Sequence, residues 1–418
     1  MKVGYISLGC PKNLVDTEVM LGELKERGFV ITDEIEGADI AIINTCSFIK
    51  EAKEEAIDVI LKCAQLKEEG KLKRLIVTGC LPQRYKKELP KELKEVDAFW
   101  GVPSALYNHK SPRLALTPSH YSYIKIAEGC ANRCTYCAVP IIRGPYRSRD
   151  TSSVIKEAES LFAAGARELN LIAQDTTSYG TDLHSAPRLA GLLCKLNKIK
   201  GKFWIRLLYT HPAHLSEEII AAIKDSSKIC RYIDLPLQHI NDDILKRMGR
   251  KTTKAQIIRL IERLRSEIPR LAIRTSLIVG FPGETQAQFE ELLDFMREYK
   301  FERLGAFAYS KEEGTKAEKL SGHLTEETKQ RRLDALMALQ EDISREVNGR
   351  LMGETLEVLI DEARDGGNYV GRSQADAPEV DGCVYVNSTR ALSPGDFVNV
   401  RIIDTLEYDL VGTDESSK

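Results

Sequence analysis

Short apolar runs alternate with amphipathic ones along most of the chain. Residues 3–8 are a short apolar stretch. A helical pattern follows from about 13 to 27, with Leu14, Met20, Leu21 and Leu24 on one face. Residues 38–45 are a second apolar stretch, 48–66 a long helical pattern, and 75–79 a third strand. Buried strands separated by helices of 3.6-residue period make a parallel sheet covered on both faces. Residues 108–120, with Pro112 and Pro118, break any period and read as a linker. Strands are then expected at 123–127, 169–173, 203–208, 232–235, 273–279 and 304–308, with helices between them such as 153–164 and 254–268. Six strand–helix units are too few for a closed eight-unit barrel and suit a partial one. A charged helix over 325–350 carries Leu333, Leu336, Leu339, Ile343 and Val347 at helical spacing and is expected to pack on that barrel.

Beyond residue 354 the pattern changes. Thr355, Val358 and Ile360, then Val384 and Val386, then Val398, Val400 and Ile402 alternate with polar residues. Turn signals stand at Asp365-Gly366-Gly367, Asp381-Gly382 and Pro394-Gly395. Short strands of this kind read as a small β-barrel, a common docking module for nucleic acid or protein. The expected chain is therefore α/β, in three parts: an N-terminal parallel-sheet domain (1–107), a central partial (β/α)6 barrel (121–350) after the linker 108–120, and a C-terminal small antiparallel β-barrel (351–418).

Composition changes this picture at three points. The chain has 418 residues, 43% of them hydrophobic, enough for several cores. Its net charge of −2 argues neither for nor against a nucleic-acid partner. Charge is uneven, however: residues 354–414 hold four Arg and no Lys against thirteen Asp or Glu, a formal −9. Such a barrel should repel RNA phosphates and attract a basic partner, unless its acidity only aids solubility. No apolar run approaches a membrane span and the N-terminal run is too short for a signal peptide, so a cytoplasmic location with no membrane partner is expected. Ten Cys in such a chain point to reduced thiols and metal ligation rather than disulfides.

Cys130, Cys134 and Cys137 form a C-x₃-C-x₂-C triplet. Three thiolates on one loop can hold an iron–sulfur cluster and leave one iron without a protein ligand. A zinc site with a distant fourth ligand, or an unliganded loop, is the alternative. The open iron suits chelation by the amine and carboxylate of S-adenosylmethionine, whose reductive cleavage yields a hydrogen-abstracting radical. Tyr136 lies where an aromatic ring could pack on the adenine. A second set, Cys10, Cys46 and Cys80, comes each time within two residues after a strand. Strand carboxyl ends share one edge in open α/β sheets, so these three should converge on a second metal or iron–sulfur site. The alternative is that each is a small core residue, as Cys63, Cys194 and Cys230 are expected to be. Polar residues at the barrel's strand ends, including Gln174, Gln238, Arg206 and Thr275, are candidates for the cofactor pocket by position alone.

The triplet with Pro140-Ile141-Ile142-Arg143-Gly144 resembles the radical S-adenosylmethionine enzymes. The stretch from Gly9 to Glu18, with Asn44-Thr45-Cys46 and Thr78-Gly79-Cys80, narrows the resemblance to their methylthiotransferases, whose C-terminal barrel is a TRAM domain. Cys10-Pro11-Lys12-Asn13, the segment from Gln174 to Gly180, Pro236-Leu237-Gln238-His239 and the segment from Ala377 to Gly382 look most like the branch acting on a ribosomal protein. Transfer-RNA-modifying relatives usually carry Gln and Met where Pro11 and Lys12 stand. Thr17 stands where the family more often has Ser. The resemblance implies two 4Fe-4S clusters, one on Cys10, Cys46 and Cys80 and one on Cys130, Cys134 and Cys137. It implies that S-adenosylmethionine supplies both a methyl group and the radical. The implied substrate is an aspartate of ribosomal small-subunit protein twelve, methylthiolated at its β-carbon. A low-potential electron donor such as a flavodoxin or ferredoxin is implied too, and a monomer is expected. Two rivals remain at this point: a methylthiotransferase for a modified adenosine of transfer RNA, and a non-catalytic iron–sulfur protein docking on the ribosome.

Overall fold

A computed structural model describes residues 1–184 and 186–415; residues 416–418, the end of the expected C-terminal unit, lie outside it. The N-terminal part is a five-stranded, all-parallel sheet. Its order is Val30–Thr32, Lys2–Ser7, Ile40–Thr45, Arg74–Gly79, Ala98–Phe99. Ser7 pairs with Asn44 and Asn44 with Thr78, so the three central strands end level with one another. Helices Pro11–Glu26 and Lys50–Glu68 cover it.

The central part is an open arc of six parallel strands in chain order: Tyr121–Lys125, Glu168–Ile172, Trp204–Leu207, Tyr232–Asp234, Ala272–Val279 and Arg303–Ala308. It is hydrogen-bonded as two three-stranded sheets. An isolated bridge from Ile205 to Ile229 spans the seam. On the outer face Ile124, Leu171, Ile205, Ile233 and Ile273 join the helices in the largest core. The inner face carries Tyr121, Tyr123, Trp204 and Tyr232. Helix Glu326–Gly349 packs on the last strand, with Leu336, Ile343 and Val347 buried.

The C-terminal part is a closed five-stranded barrel in the order Thr355–Ala363, Asn368–Ser373, Val384–Asn387, Leu410–Asp414, Phe397–Thr405. Four pairings are antiparallel, but Val384–Asn387 and Leu410–Asp414 run parallel. The small antiparallel barrel expected from the sequence is thus present, with one parallel pair in it. The hairpin joining Phe397–Thr405 to Leu410–Asp414 sets the direction of the closing strand, and closure places it beside Val384–Asn387.

The barrel does not hang free. The segment between Ser373 and Asp381 enters the open interior of the central arc. Leu359 and Ala377 join the inner tyrosines in one core. Glu379 accepts hydrogen bonds from the hydroxyls of Tyr121 (2.9 Å) and Tyr123 (3.3 Å). Asp381 accepts from Tyr232 (2.7 Å) and pairs with Arg274 (3.2 Å), and Asp376 pairs with Arg303 (2.5 Å).

The segment 108–120 contains no regular element, yet it is pinned. Arg113 reaches Glu18 at 2.5 Å and Glu157 at 2.8 Å. Gly22 lets Pro112 lie against helix Pro11–Glu26: a Cβ there would stand 2.5 Å from the Pro112 carbonyl carbon.

Candidate active site

Level strand ends put Cys10, Cys46 and Cys80 on one edge of the N-terminal sheet. Cys10 caps helix Pro11–Glu26 and Cys80 opens helix Cys80–Arg84. Helix N-termini favour thiolate charge there. The loops touch closely. A Cβ on Gly9 (φ +88°) would lie 2.7 Å from the Cys46 Cβ, and one on Gly79 (φ +96°) 2.1 Å from the Asn44 Oδ1. Asn13 stitches the loops together. Its Nδ2 donates to the carbonyls of Leu8 (3.0 Å) and Thr45 (2.9 Å), and Cys80 Sγ donates to its Oδ1 (3.6 Å). The three thiols feel one another electrostatically. Burial pushes Cys46 up and Cys80 up to about 12. Burial pushes Cys10 up too, but Lys12, Arg143 and the backbone N–H groups of Asn13 and Lys12 outweigh it, and its pKa is lowered.

The second triad sits on the loop between the short paired strands Ala127–Glu128 and Arg147–Ser148. Gly129 (φ +77°) starts that loop where a Cβ would stand 2.1 Å from the Pro145 carbonyl oxygen. Thr135 ties it to the barrel, donating its N–H to the Met248 carbonyl (2.8 Å) and its hydroxyl to that of Arg247 (2.8 Å). Asn132 donates to the buried carboxylate of Asp175 (2.7 Å), which also receives Ser178 (2.8 Å) and faces the His214 ring at 2.9 Å. Arg250 Nη1 is 3.9 Å from Cys134 Sγ. Burial pushes Cys130 up to about 11 and Cys137 up to about 12. Tyr136 packs beside Ile244, Met248, Phe281 and Tyr309.

The two triads share one enclosure. Helix Val139–Arg143, just after Cys137, packs on helix Cys80–Arg84. Cys80, Ala138 and Ile142 form one buried cluster. Arg143 reaches across it, with Nη2 at 3.4 Å from Cys80 Sγ and Nη1 at 2.6 Å from Asp16 and 3.2 Å from Glu128. Lys125 pairs with the same two carboxylates. This quartet of two cations and two carboxylates is buried throughout. Each charge is paired, as burial requires.

Of the residues expected to hold S-adenosylmethionine, Gln174 lies beside this quartet and donates Nε2 to Glu128 (2.7 Å). Gln238 is half-buried in a left-handed turn (φ +74°), its backbone bonded to Ser276 and Ile278. Arg206 and Thr275 are not brought to the site, which corrects their assignment. All three guanidinium nitrogens of Arg206 donate within the protein, to Glu168 (2.6 Å) and to the carbonyls of Gln374 (2.6 Å) and Ser373 (3.5 Å). Thr275 shares the outer strand face with Ile273 and Leu277, and its hydroxyl donates to the Leu235 carbonyl (2.9 Å). Sequence reading missed Arg143, Asp16, Lys125, Glu128 and Asp175 as individuals. Only their positions beside the Cys motifs or in a polar strand end marked them.

The donor sets suit iron–sulfur clusters: three thiols apiece, buried or half-buried. Four polar side-chain atoms nearby are buried without a hydrogen-bond partner: Asn44 Oδ1 and Ser47 Oγ by the first triad, Gln174 Oε1 and Arg250 Nε by the second. Buried polar groups rarely stay unpaired, so these fit a bound group that supplies donors and acceptors.

Comparison with known proteins places this arrangement. Family models match in three blocks: an uncharacterized protein family, UPF0004, over residues 2–101, the radical SAM superfamily over 124–296, and the TRAM domain over 352–413. Among solved structures, a radical S-adenosylmethionine methyltransferase, TsrM, from Kitasatospora setae has a TM-score of 0.54 at 13% identity, covering 87% of this chain and 78% of that one. The cobalamin-dependent S-adenosylmethionine radical enzyme OxsB has a TM-score of 0.51 at 14% identity, covering 81% and 56%. These likenesses concern the fold alone. The curated relatives are much nearer. The ribosomal protein uS12 methylthiotransferase RimO of Clostridioides difficile is 48% identical, covering 99% of this chain and 98% of that one. The proteins of the same name from Desulforamulus reducens and Geobacter sulfurreducens are 50% and 48% identical, each covering 98% of both chains. At that identity over nearly its whole length, the chain belongs to the ribosomal protein uS12 methylthiotransferase family.

Proposed function

We propose that the chain joins a methylthio group to the β-carbon of an aspartate in ribosomal protein uS12, small-subunit protein twelve. In this reading Cys10, Cys46 and Cys80 hold one 4Fe-4S cluster. Cys130, Cys134 and Cys137 hold the other, with S-adenosylmethionine beside it. When bound, these groups supply the electron, the hydrogen-abstracting radical, the sulfur site and the methyl group. The protein's own residues hold and insulate them. The Asp16–Lys125–Glu128–Arg143 quartet locks the N-terminal sheet onto the cluster loop, and Asp175 fixes that loop through Asn132. Tyr136, Gln174 and Gln238 are the side chains we assign to the cofactor pocket.

The observation that carries this reading is Arg143, which follows Cys137 by six residues and lies 3.4 Å from the Cys80 thiol. It brings a radical-type thiol loop and a second thiol triad into one enclosure, as transfer between two sites requires. The work is divided among units 1–107, 121–350 and 351–418. The chain acts as a monomer in the cytoplasm and takes electrons from a low-potential flavodoxin or ferredoxin. Among the described residues no helix is long and apolar enough to cross a membrane.

The test is anaerobic turnover of the reconstituted chain with reductant and S-adenosylmethionine, offering uS12 and transfer RNA in parallel. Methylthio addition to uS12, read by mass spectrometry, is expected. Addition to transfer RNA alone, or no 5′-deoxyadenosine, overturns the reading. The acidic C-terminal unit favours the protein over the RNA.

A further inference from the structure

Lys12 is a buried cation beside the first thiol triad. It is the second residue of helix Pro11–Glu26 and only 8% exposed. Its cationic neighbours on the N-terminal side of the enclosure are matched by carboxylates: Lys125 and Arg143 with Asp16 and Glu128, Arg113 with Glu18 and Glu157. Among the described residues Lys12 has no ion pair. Its Nζ stands 3.2 Å from the centroid of the Tyr209 ring. Burying an ammonium is costly, and a ring face returns only part of what water gave.

Tyr209 is built for that contact. It follows strand Trp204–Leu207 at the carboxyl-end edge of the arc, in the left-handed region (φ +59°). That conformation is unfavourable for a bulky residue and persists only where its surroundings enforce it. Here its N–H donates to Asp234 (2.8 Å), and its carbonyl accepts from the Thr176 N–H (2.9 Å). The turn so fixed holds the ring under Lys12. The ammonium thus lies two residues from Cys10, between the N-terminal thiol triad and the mouth of the barrel.

We propose that Lys12 receives the β-carboxylate of the substrate aspartate and so makes the enzyme specific for it, with Tyr209 as the surface behind the ammonium. This rests on the uS12 reading above. The carbon to be modified carries that carboxylate directly. A carboxylate entering a dry enclosure needs a cation already in place, and among the described residues Lys12 is the one without a carboxylate on the side of the N-terminal triad.

The test uses the reconstituted full chain and two forms of uS12, one with the target aspartate and one with Asn in its place. Affinities are measured anaerobically by titration calorimetry. The wild type should prefer the aspartate form by about tenfold to a hundredfold, the range of a charge-assisted hydrogen bond. Lys12→Met should bind the two forms within about twofold of each other, and Lys12→Arg should keep several-fold preference. In turnover, Lys12→Met should raise KM for uS12 more than it lowers kcat. If Lys12→Met does not fold, Lys12→Gln is read in its place. A Lys12→Met enzyme that keeps the wild-type preference overturns the proposal and leaves Lys12 as a counter-charge to the thiolates. A wild type that methylthiolates uS12 but binds both forms alike overturns it while leaving the uS12 reading standing. A wild type that neither binds nor modifies uS12 brings down both.

Discussion

At the level of single side chains, the buried quartet balances two carboxylates against two cations, and removing one member leaves an uncompensated charge. Arg143→Met should therefore cost about 3–5 kcal/mol in urea unfolding of the metal-free chain. A loss below about 1 kcal/mol would show that Lys125 alone suffices. The two triads should separate in their effects. Cys130→Ala should abolish 5′-deoxyadenosine formation, whereas Cys46→Ala should spare it and stop methylthio transfer, both read by chromatography of the anaerobic reaction. Arg206 gives a third test. Each nitrogen of its guanidinium donates to Glu168 or to a carbonyl of the C-terminal unit. Arg206→Met should then lower stability and leave the dissociation constant for S-adenosylmethionine within about twofold, by the rule that a lost buried partner costs folding. The contrast shows what a sequence displays at this scale. Six cysteines stand out because their spacing and their phase after strands are local facts. Arg206 and Thr275 misled because strand-end position says nothing of the partner. Gln374, which occupies Arg206, is 168 residues away, and Thr275 falls on the outer face by a one-residue alternation.

Among elements, the joins between units rest on close backbone approach and a few ion pairs. Gly22→Val would put side-chain carbon where the Pro112 carbonyl carbon stands 2.5 Å from the position of a Cβ. It should lift segment 108–120 off helix Pro11–Glu26 and make that segment cleavable by trypsin at Arg113, where the wild type resists. At the other join, the His120 ring Nε2 stands 2.8 Å from Asp361. Burial pushes the Asp361 carboxyl up, but the His120 hydrogen bond and Arg372 outweigh it and hold its pKa below the usual range. A folded pKa below the unfolded one means that the native state binds fewer protons. The contribution is present above about pH 4 and is lost as pH falls through the folded value. Asp361→Asn should flatten the acid limb of stability below about pH 4 and lower stability at neutral pH, measured as urea midpoints. The six arc strands were legible because apolar runs mark them. Asn368–Ser373 and Leu410–Asp414 were not. Gly371 and Gly412 interrupt their patterns, and both are needed there: a Cβ would meet the Leu359 carbonyl oxygen at 2.5 Å and Val400 Cγ1 at 2.3 Å.

Across the whole molecule, three units that sequence reading separates by composition prove to share interiors. A module docked by a flexible tether would leave the central arc folded without it. Here Leu359 and Ala377 complete the arc's inner core, and Asp376, Asp381 and Glu379 pair with its arginines and tyrosines. Deleting residues 351–418 should therefore make the remaining chain aggregate or lose a cooperative melting transition; a sharply melting, soluble 1–350 fragment would contradict this. The same plug sets a timetable. Arg206, Arg274 and Arg303 leave the ribosome before the carboxylates and carbonyls of the 373–381 segment that answer them. At about 5–20 residues per second, the stretch from 303 to 381 takes roughly 4 to 16 seconds to make. For that interval the nascent chain holds its thiol loops beside an unsealed barrel, and the last tenth of the protein to be translated decides when that opening closes.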